Sequence, residues 1–121
     1  MYNVIFYEDK NGYSQLYDTL IKLANNSINN KDDRIQLNQI NYCIELLKNN
    51  GTKLPNNITK HIKDNIWELR PGYNRVLYFY FENNTFVLLH IFRKETQKTP
   101  KSEISKAEKE IKDFKLRNGG K

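Results

Sequence analysis

The sequence predicts an α+β domain with a mainly antiparallel sheet, in the order β-α-α-β-β-β-α. Three observations lead there. Two long apolar and aromatic segments, Tyr73–Phe81 and Phe86–Phe92, are joined at Asn83-Asn84, a pair that tolerates the positive φ of a tight hairpin turn. Between Tyr13 and Gly51, two runs carry apolar residues at helical spacing. A third helical pattern follows the last strand, opened by Thr99-Pro100.

Taken in order, Tyr2–Tyr7 alternates, with Tyr2, Val4 and Phe6 on one face, and reads as a strand. Asp9-Lys10-Asn11-Gly12 is a turn cluster. Tyr13, Leu16, Tyr17, Leu20, Ile21 and Ala24 then define a helix over about 13–25. A second helix is capped by Asp32 or Asp33, has Ile35, Ile40, Ile44 and Leu47 as its inner stripe, and is closed by Gly51. The two helices form an antiparallel pair packed on the sheet. Lys60-His61-Ile62-Lys63 is a basic cluster that fits a short strand or a bulge, and Ile66, Trp67 and Leu69 begin the next strand. Tyr73–Phe81 carries apolar and aromatic residues at consecutive positions, as expected of a central strand covered on both faces. In the last helix Thr99 caps, Pro100 takes the first position, and Ile104, Ala107, Ile111 and Phe114 form the buried stripe. Its lysines, Lys106, Lys109 and Lys112 among them, lie on the outer face. The end, with Gly119-Gly120, is expected to be mobile over about 117–121. With 121 residues and no long linker, 1–121 reads as a single domain.

Composition narrows the function. No apolar run reaches the roughly 18 residues of a membrane helix, and the N-terminus lacks a signal-peptide pattern. Cys43 is the only cysteine, which excludes a disulfide framework or a cysteine-based metal cluster. The expectation is a cytoplasmic protein with no membrane partner. Of the net charge of +6, five units come from the segment after Phe92, where ten Lys/Arg face five Asp/Glu. Concentrated positive charge is the footprint of a nucleic-acid binder, or else of a solvated lysine-rich helix.

Motifs for nucleotide-binding loops, metalloprotease helices and serine nucleophile elbows are missing, so neither metal nor cofactor is expected. His90, between Leu89 and Ile91, reads as structural; His61, beside Lys60 and Lys63, is the better functional candidate. Glu68 reads as an ion-pair partner or a surface residue. The informative set is cationic. Lys60, His61, Lys63, Arg70, Arg75, Arg93, Lys94 and Lys98 all fall near strand ends, and an antiparallel hairpin lets Arg75, Arg93 and Lys94 meet, with Arg70 and Tyr73 beside them. Arginine forks suit phosphate and an aromatic ring can stack on a base. Such a site can cleave RNA through attack of its own 2′-OH, with guanidinium groups stabilising the developing charge and a His, Lys or Tyr moving the proton. It can equally bind phosphate without turnover.

The run W-E-L-R-P-G-Y-N-R-V-L-Y-F-Y-F, followed by L-L-H-I-F-R-K-E-T-Q-K-T-P, resembles the phage-derived Gp49-like, HigB-type branch of the RelE/ParE toxin superfamily. The specific motifs cover about 66–107; the N-terminal strand and helices agree in layout. The resemblance implies the toxin of a type II toxin–antitoxin pair and a ribosome-dependent endoribonuclease cutting translated mRNA. It implies a helix-turn-helix (HigA-like) antitoxin as partner, with operator DNA contacted only through that antitoxin. It matches Arg75 to the arginine of Y-x-R-V, Arg70 to that of E-L-R, and Arg93, Lys94 and Lys98 to the basic group after the last strand. Glu95 stands where this branch often has a second lysine. Lys60 and His61 come from the residues themselves rather than from the resemblance. ParE-like relatives inhibit DNA gyrase instead, and a non-catalytic RNA-binding module is the third alternative.

Overall fold

The computed structural model describes residues 1–119. Strand β1 (Asn3–Phe6) is followed by helices α1 (Gln15–Asn26) and α2 (Lys31–Asn50). Strands β2 (Thr59–Lys63), β3 (Ile66–Leu69), β4 (Asn74–Tyr80) and β5 (Thr85–Arg93) come next, then helix α3 (Lys101–Asn118). The strands form one sheet in the order β1-β5-β4-β3-β2. Neighbours are antiparallel except β1 and β5, which run parallel. A parallel pair needs a long connection, and here everything from α1 to β4 supplies it.

The helix pair covers one face of the sheet. Leu16, Leu23, Ile40, Cys43, Ile44 and Leu47 pack there on Leu69, Val76, Tyr78, Phe86, Leu88 and Ile91. The other face is covered by α3, whose Ala107, Ile111 and Phe114 meet Ile66, Leu77, Phe79, Val87 and Leu89. Tyr78 and Phe79, adjacent in sequence, are therefore both fully buried, as a central strand requires. Burial pushes the Tyr78 hydroxyl up to about 12, opposed by its bond with Thr59. Burial likewise raises the Cys43 thiol to about 11, which keeps it a neutral core residue. The β4–β5 hairpin turns where expected, with Asn83 at φ +53° and Asn84 at +58°. Gly51 closes α2 at φ +61°, and a Cβ there would lie 2.9 Å from the Tyr2 ring.

Local interactions correct several expectations. Thr59–Lys63 is a full strand, so the order is β-α-α-β-β-β-β-α. Ser14 caps α1, accepting from the Tyr17 amide at 3.1 Å. Asn30 caps α2 through the Asp33 amide, which leaves Asp32 and Asp33 in the first turn, where carboxylates favour the helix dipole. Ile35 is exposed rather than part of the inner stripe. Pro100 is the cap residue of α3, and the Thr99 hydroxyl is turned to Glu68 instead. The helix runs through 117 and 118, into the stretch expected to be mobile, because Arg117 is held by Asp113 and by the Glu8 carbonyl. Residues 120–121 of that stretch lie outside the described residues. Among the described residues no helix is long and apolar enough to cross a membrane.

A bulge in β5 sets the polar layout of the α3 face. Leu77 pairs with His90 but Tyr78 pairs with Leu88, so Leu89 is the extra residue. Leu89 and His90 therefore both face α3. Beyond the end of β1, Gln15 takes the place of a neighbouring strand. Its amide donates to the Ile91 carbonyl at 2.8 Å, and its carbonyl accepts from the Ile91 amide at 2.9 Å.

Candidate nucleic-acid interface

The cationic residues gather at the end of the sheet formed by the Pro71–Asn74 turn and the end of β5. Register separates them into two groups. Arg75 pairs with Phe92 on the face that carries Leu77 and α3, whereas Arg93 pairs with Asn74 on the face of α1 and α2. Arg75 and Arg93 therefore do not meet, contrary to the expectation.

The first group is centred on Glu68. This carboxylate is buried, and three partners hold it, one of them from 31 residues away. Arg70 Nε donates to Oε1 at 3.1 Å, Arg75 Nε lies 3.9 Å from the same oxygen, and the Thr99 hydroxyl donates to Oε2 at 2.7 Å. A buried charge is tolerated when it is paired and hydrogen-bonded, and Glu68 is both. Arg70 also donates to the Asn56 carbonyl, and Arg75 Nη1 donates to the carbonyls of Gly72 at 2.9 Å and Asn74 at 2.7 Å. Arg75 thus braces the turn as well as the carboxylate. Burial pulls its guanidinium down from the usual arginine value; Glu68 opposes that shift and Arg70 adds to it. The segment 94–100 folds across this cluster, and a small cleft remains, lined by Glu68, Arg75, Phe92 and residues of that segment, including Lys94 and Lys98. Lys60 pairs with Glu68 across β2 and β3 and so lies on the same face, exposed.

The second group lies on the helix side and at the rim. Tyr73 is 72% exposed, with the Arg93 guanidinium carbon 5.9 Å from its ring centroid. Arg93 Nη1 and Asn74 Nδ2 both donate to Gln36 Oε1 of α2. Tyr73 also closes the hairpin ladder, its carbonyl accepting from the Lys94 amide at 2.8 Å.

The other sequence-derived candidates are placed apart. His61 pairs with Trp67, so its ring lies on the face opposite Arg75, 5.1 Å from the indole, and hydrogen-bonded to the Asp64 carbonyl. The structure does not bring it to the Arg75 cluster, because one step along a strand reverses the face. Lys63 is paired with Glu108 of α3 at 3.2 Å. Lys106, Lys109 and Lys112 are exposed on the outer face of α3, as expected. His90 is structural, also as expected. It is 1% exposed, with Nε2 2.9 Å from Glu103 and Nδ1 2.5 Å from Glu110.

Sequence reasoning missed that Glu68 is the hub of the site. The signal was the spacing Glu68-x-Arg70, which places both on one strand face, together with a threonine just before a helix that does not cap it.

These features define a small α+β domain with a small cationic cleft at one end of its sheet. Its fold is shared with a YoeB–YefM complex from Staphylococcus aureus, at a TM-score of 0.50 and 16% identity, over 79% of this chain and 99% of the other. A YoeB dimer from the same organism aligns at a TM-score of 0.49 and 17% identity, over 78% and 97% of the two chains. No curated protein sequence matches this chain. Residues 26–112 match the family described as phage derived protein Gp49-like, and the chain belongs to that family.

Proposed function

We propose that this chain is the toxin of a type II toxin–antitoxin pair and acts as a ribosome-dependent endoribonuclease on translated mRNA. The observation that carries this reading is the Arg75 guanidinium lining a small cleft, fixed by Glu68 and overlaid by the basic segment of Lys94 and Lys98. Family membership and the fold shared with a YoeB–YefM complex support it.

In this reading a phosphate of single-stranded RNA enters beside Arg75. The substrate's 2′-OH attacks the adjacent phosphorus and the 5′ oxygen leaves. Arg75, with Arg70 behind it, stabilises the charge that develops on the non-bridging oxygens. Lys94, exposed at the mouth of the cleft, carries protons and neutralises the backbone. Glu68 moves no proton; it orients the two guanidinium groups and balances their charge before substrate arrives. The lysines of α3, with Lys60 and Lys98, bind ribosomal or messenger phosphates. The expected protein partner is a helix-turn-helix antitoxin of the HigA type, which would also carry the pair to operator DNA.

The test is induction of the chain alone, followed by mapping of RNA 5′ ends. Growth arrest with cuts inside reading frames, relieved by the neighbouring antitoxin gene, is the expected result. Arrest with DNA breaks and intact messages would replace this reading with gyrase inhibition.

A further inference from the structure

The helix side of the sheet end holds a group that the phosphate chemistry does not use. Tyr73 exposes most of its ring, and Arg93 lies against it. Arg93 is oriented by a relay that ends in α2. Gln36 Oε1 accepts from Arg93 at 3.3 Å and from Asn74 at 2.9 Å, while Gln36 Nε2 donates to Asp32 at 2.7 Å. Both polar atoms of the Gln36 side chain are thereby engaged. The side chain of Gln39, one turn further along α2, has no hydrogen bond to another described residue. Its carboxamide lies over the backbone of Gly72, where a Cβ would come within 2.2 Å of its oxygen. Gly72 also sits at φ +59°, so a side chain would be strained here, and the open backbone leaves room for the amide over the residue that precedes Tyr73.

We propose that Tyr73, Arg93 and Gln39 form a nucleobase-reading subsite, which takes one base of single-stranded RNA next to the phosphate held by Arg75; this rests on the RNase reading above. The phenol ring and the guanidinium plane are stacking surfaces for an unstacked base. Stacking alone is tolerant of sequence, because every base has a π face. Discrimination comes from Gln39. A carboxamide presents a donor and an acceptor side by side, and pairs with the edge of a base that presents the complementary two. The two faces of the sheet end then divide the work, with the phosphate on the α3 side and the base on the α2 side. Tyr73, at the rim between them, fixes the distance from one to the other.

The experiment is titration of the folded protein with RNA hexamers rA6, rC6 and rU6, read by NMR at the Gln39 side-chain amide and the Tyr73 ring. Both signals are expected to shift, with Kd values that differ about tenfold between the hexamers. Gln39→Leu should make the three affinities equal, and Tyr73→Ala should weaken all of them about tenfold or more. Equal affinities in the unaltered protein, or a preference that survives Gln39→Leu, would overturn the subsite. Cut-site mapping separates this idea from the activity it rests on. Base-selective binding that Gln39→Leu abolishes, without any cleavage on ribosomes, removes the RNase reading and keeps the subsite. Cleavage whose sites are the same in Gln39→Leu as in the unaltered protein removes the subsite and keeps the RNase.

Discussion

The two faces of the sheet are built differently. Under α1 and α2 the described buried residues form an apolar cluster, beside which Thr59 and Tyr78 satisfy one another. The face under α3 buries Glu68 and His90, each held by partners contributed after the last strand: Thr99 for Glu68, Glu103 and Glu110 for His90. An apolar face can be assembled from interchangeable contacts. A face with buried charge depends on specific partners, because losing one leaves an uncompensated group. The first face stabilises the fold, and in the proposed reading the second positions the groups that would meet substrate.

The largest expected effect tests that division directly. Leu47 is fully buried against the helix-side core, and Leu47→Ala should cost about 2–5 kcal/mol of stability. Cleavage per folded molecule should stay unchanged. A denaturant titration beside a cleavage assay measures both, and a lowered rate in the folded fraction would break the division.

Arg75→Ala should do the reverse, lowering cleavage on programmed ribosomes by on the order of 10²-fold or more. Because Arg75 also ties down the carbonyls of Gly72 and Asn74, its loss should cost about 1 kcal/mol as well. Arg75→Lys should recover part of the rate, since an ammonium lacks the planar fork. Normal cleavage by a destabilised Arg75→Ala protein would show a purely structural arginine and shift the catalytic assignment to Arg70 and Lys94.

Glu68→Gln keeps the shape but removes the charge that Arg70, Arg75 and Thr99 converge on. A loss of about 2 kcal/mol is expected, together with a lower kcat from a misaligned Arg75. A variant as stable and as active as the parent would mean that the buried carboxylate organises nothing.

Alkaline pH probes the neutral face. Burial raises Cys43 from 9.0 to about 11 and Tyr78 from 10.0 to about 12. The unfolded chain loses these protons first, so stability is complete below pH 9. It falls between pH 9 and 11 for the thiol, and between pH 10 and 12 for the phenol. Cys43→Ala should remove on the order of 2 kcal/mol of the drop seen near pH 10.5, as read from unfolding midpoints. An identical pH profile in the variant would place the alkaline sensitivity elsewhere.

The smallest effect on stability belongs to the outer face of α3. Replacing Lys106, Lys109 and Lys112 by glutamine should leave the melting temperature unchanged. It should flatten the salt dependence of ribosome binding by about 0.7 in log–log slope for each lost phosphate contact. An unaltered slope would make that face a solvated one.

Much of this architecture was legible in the sequence because it depends on near neighbours. Asn83-Asn84 can only be a turn between two such segments, and the unbroken apolar run of β4 can only sit under cover on both faces. The helical stripes of α2 and α3 likewise identified Ile40, Ile44, Leu47, Ala107, Ile111 and Phe114 as buried or packed. The cationic residues at strand ends, and the motifs shared with the Gp49-like family, were also plain. The division of those residues was not. Whether Arg75 stands with Arg93 depends on pairing register, and the Leu89 bulge is set by both strands and by the helices packed on them. His61 lies opposite Arg75 for the same reason, since a strand position has a face only once its neighbours are fixed. The ion pair of Glu68 with Arg70 was legible in their spacing, but its burial was not, because that requires Arg70, Arg75 and Thr99 to converge, and the last of these lies 31 residues away. Sequence determined which segments form strands and helices, since periodicity and turn chemistry are local. Tertiary structure alone decided which charges share a face, because register, bulges and the pairing of buried charge are long-range.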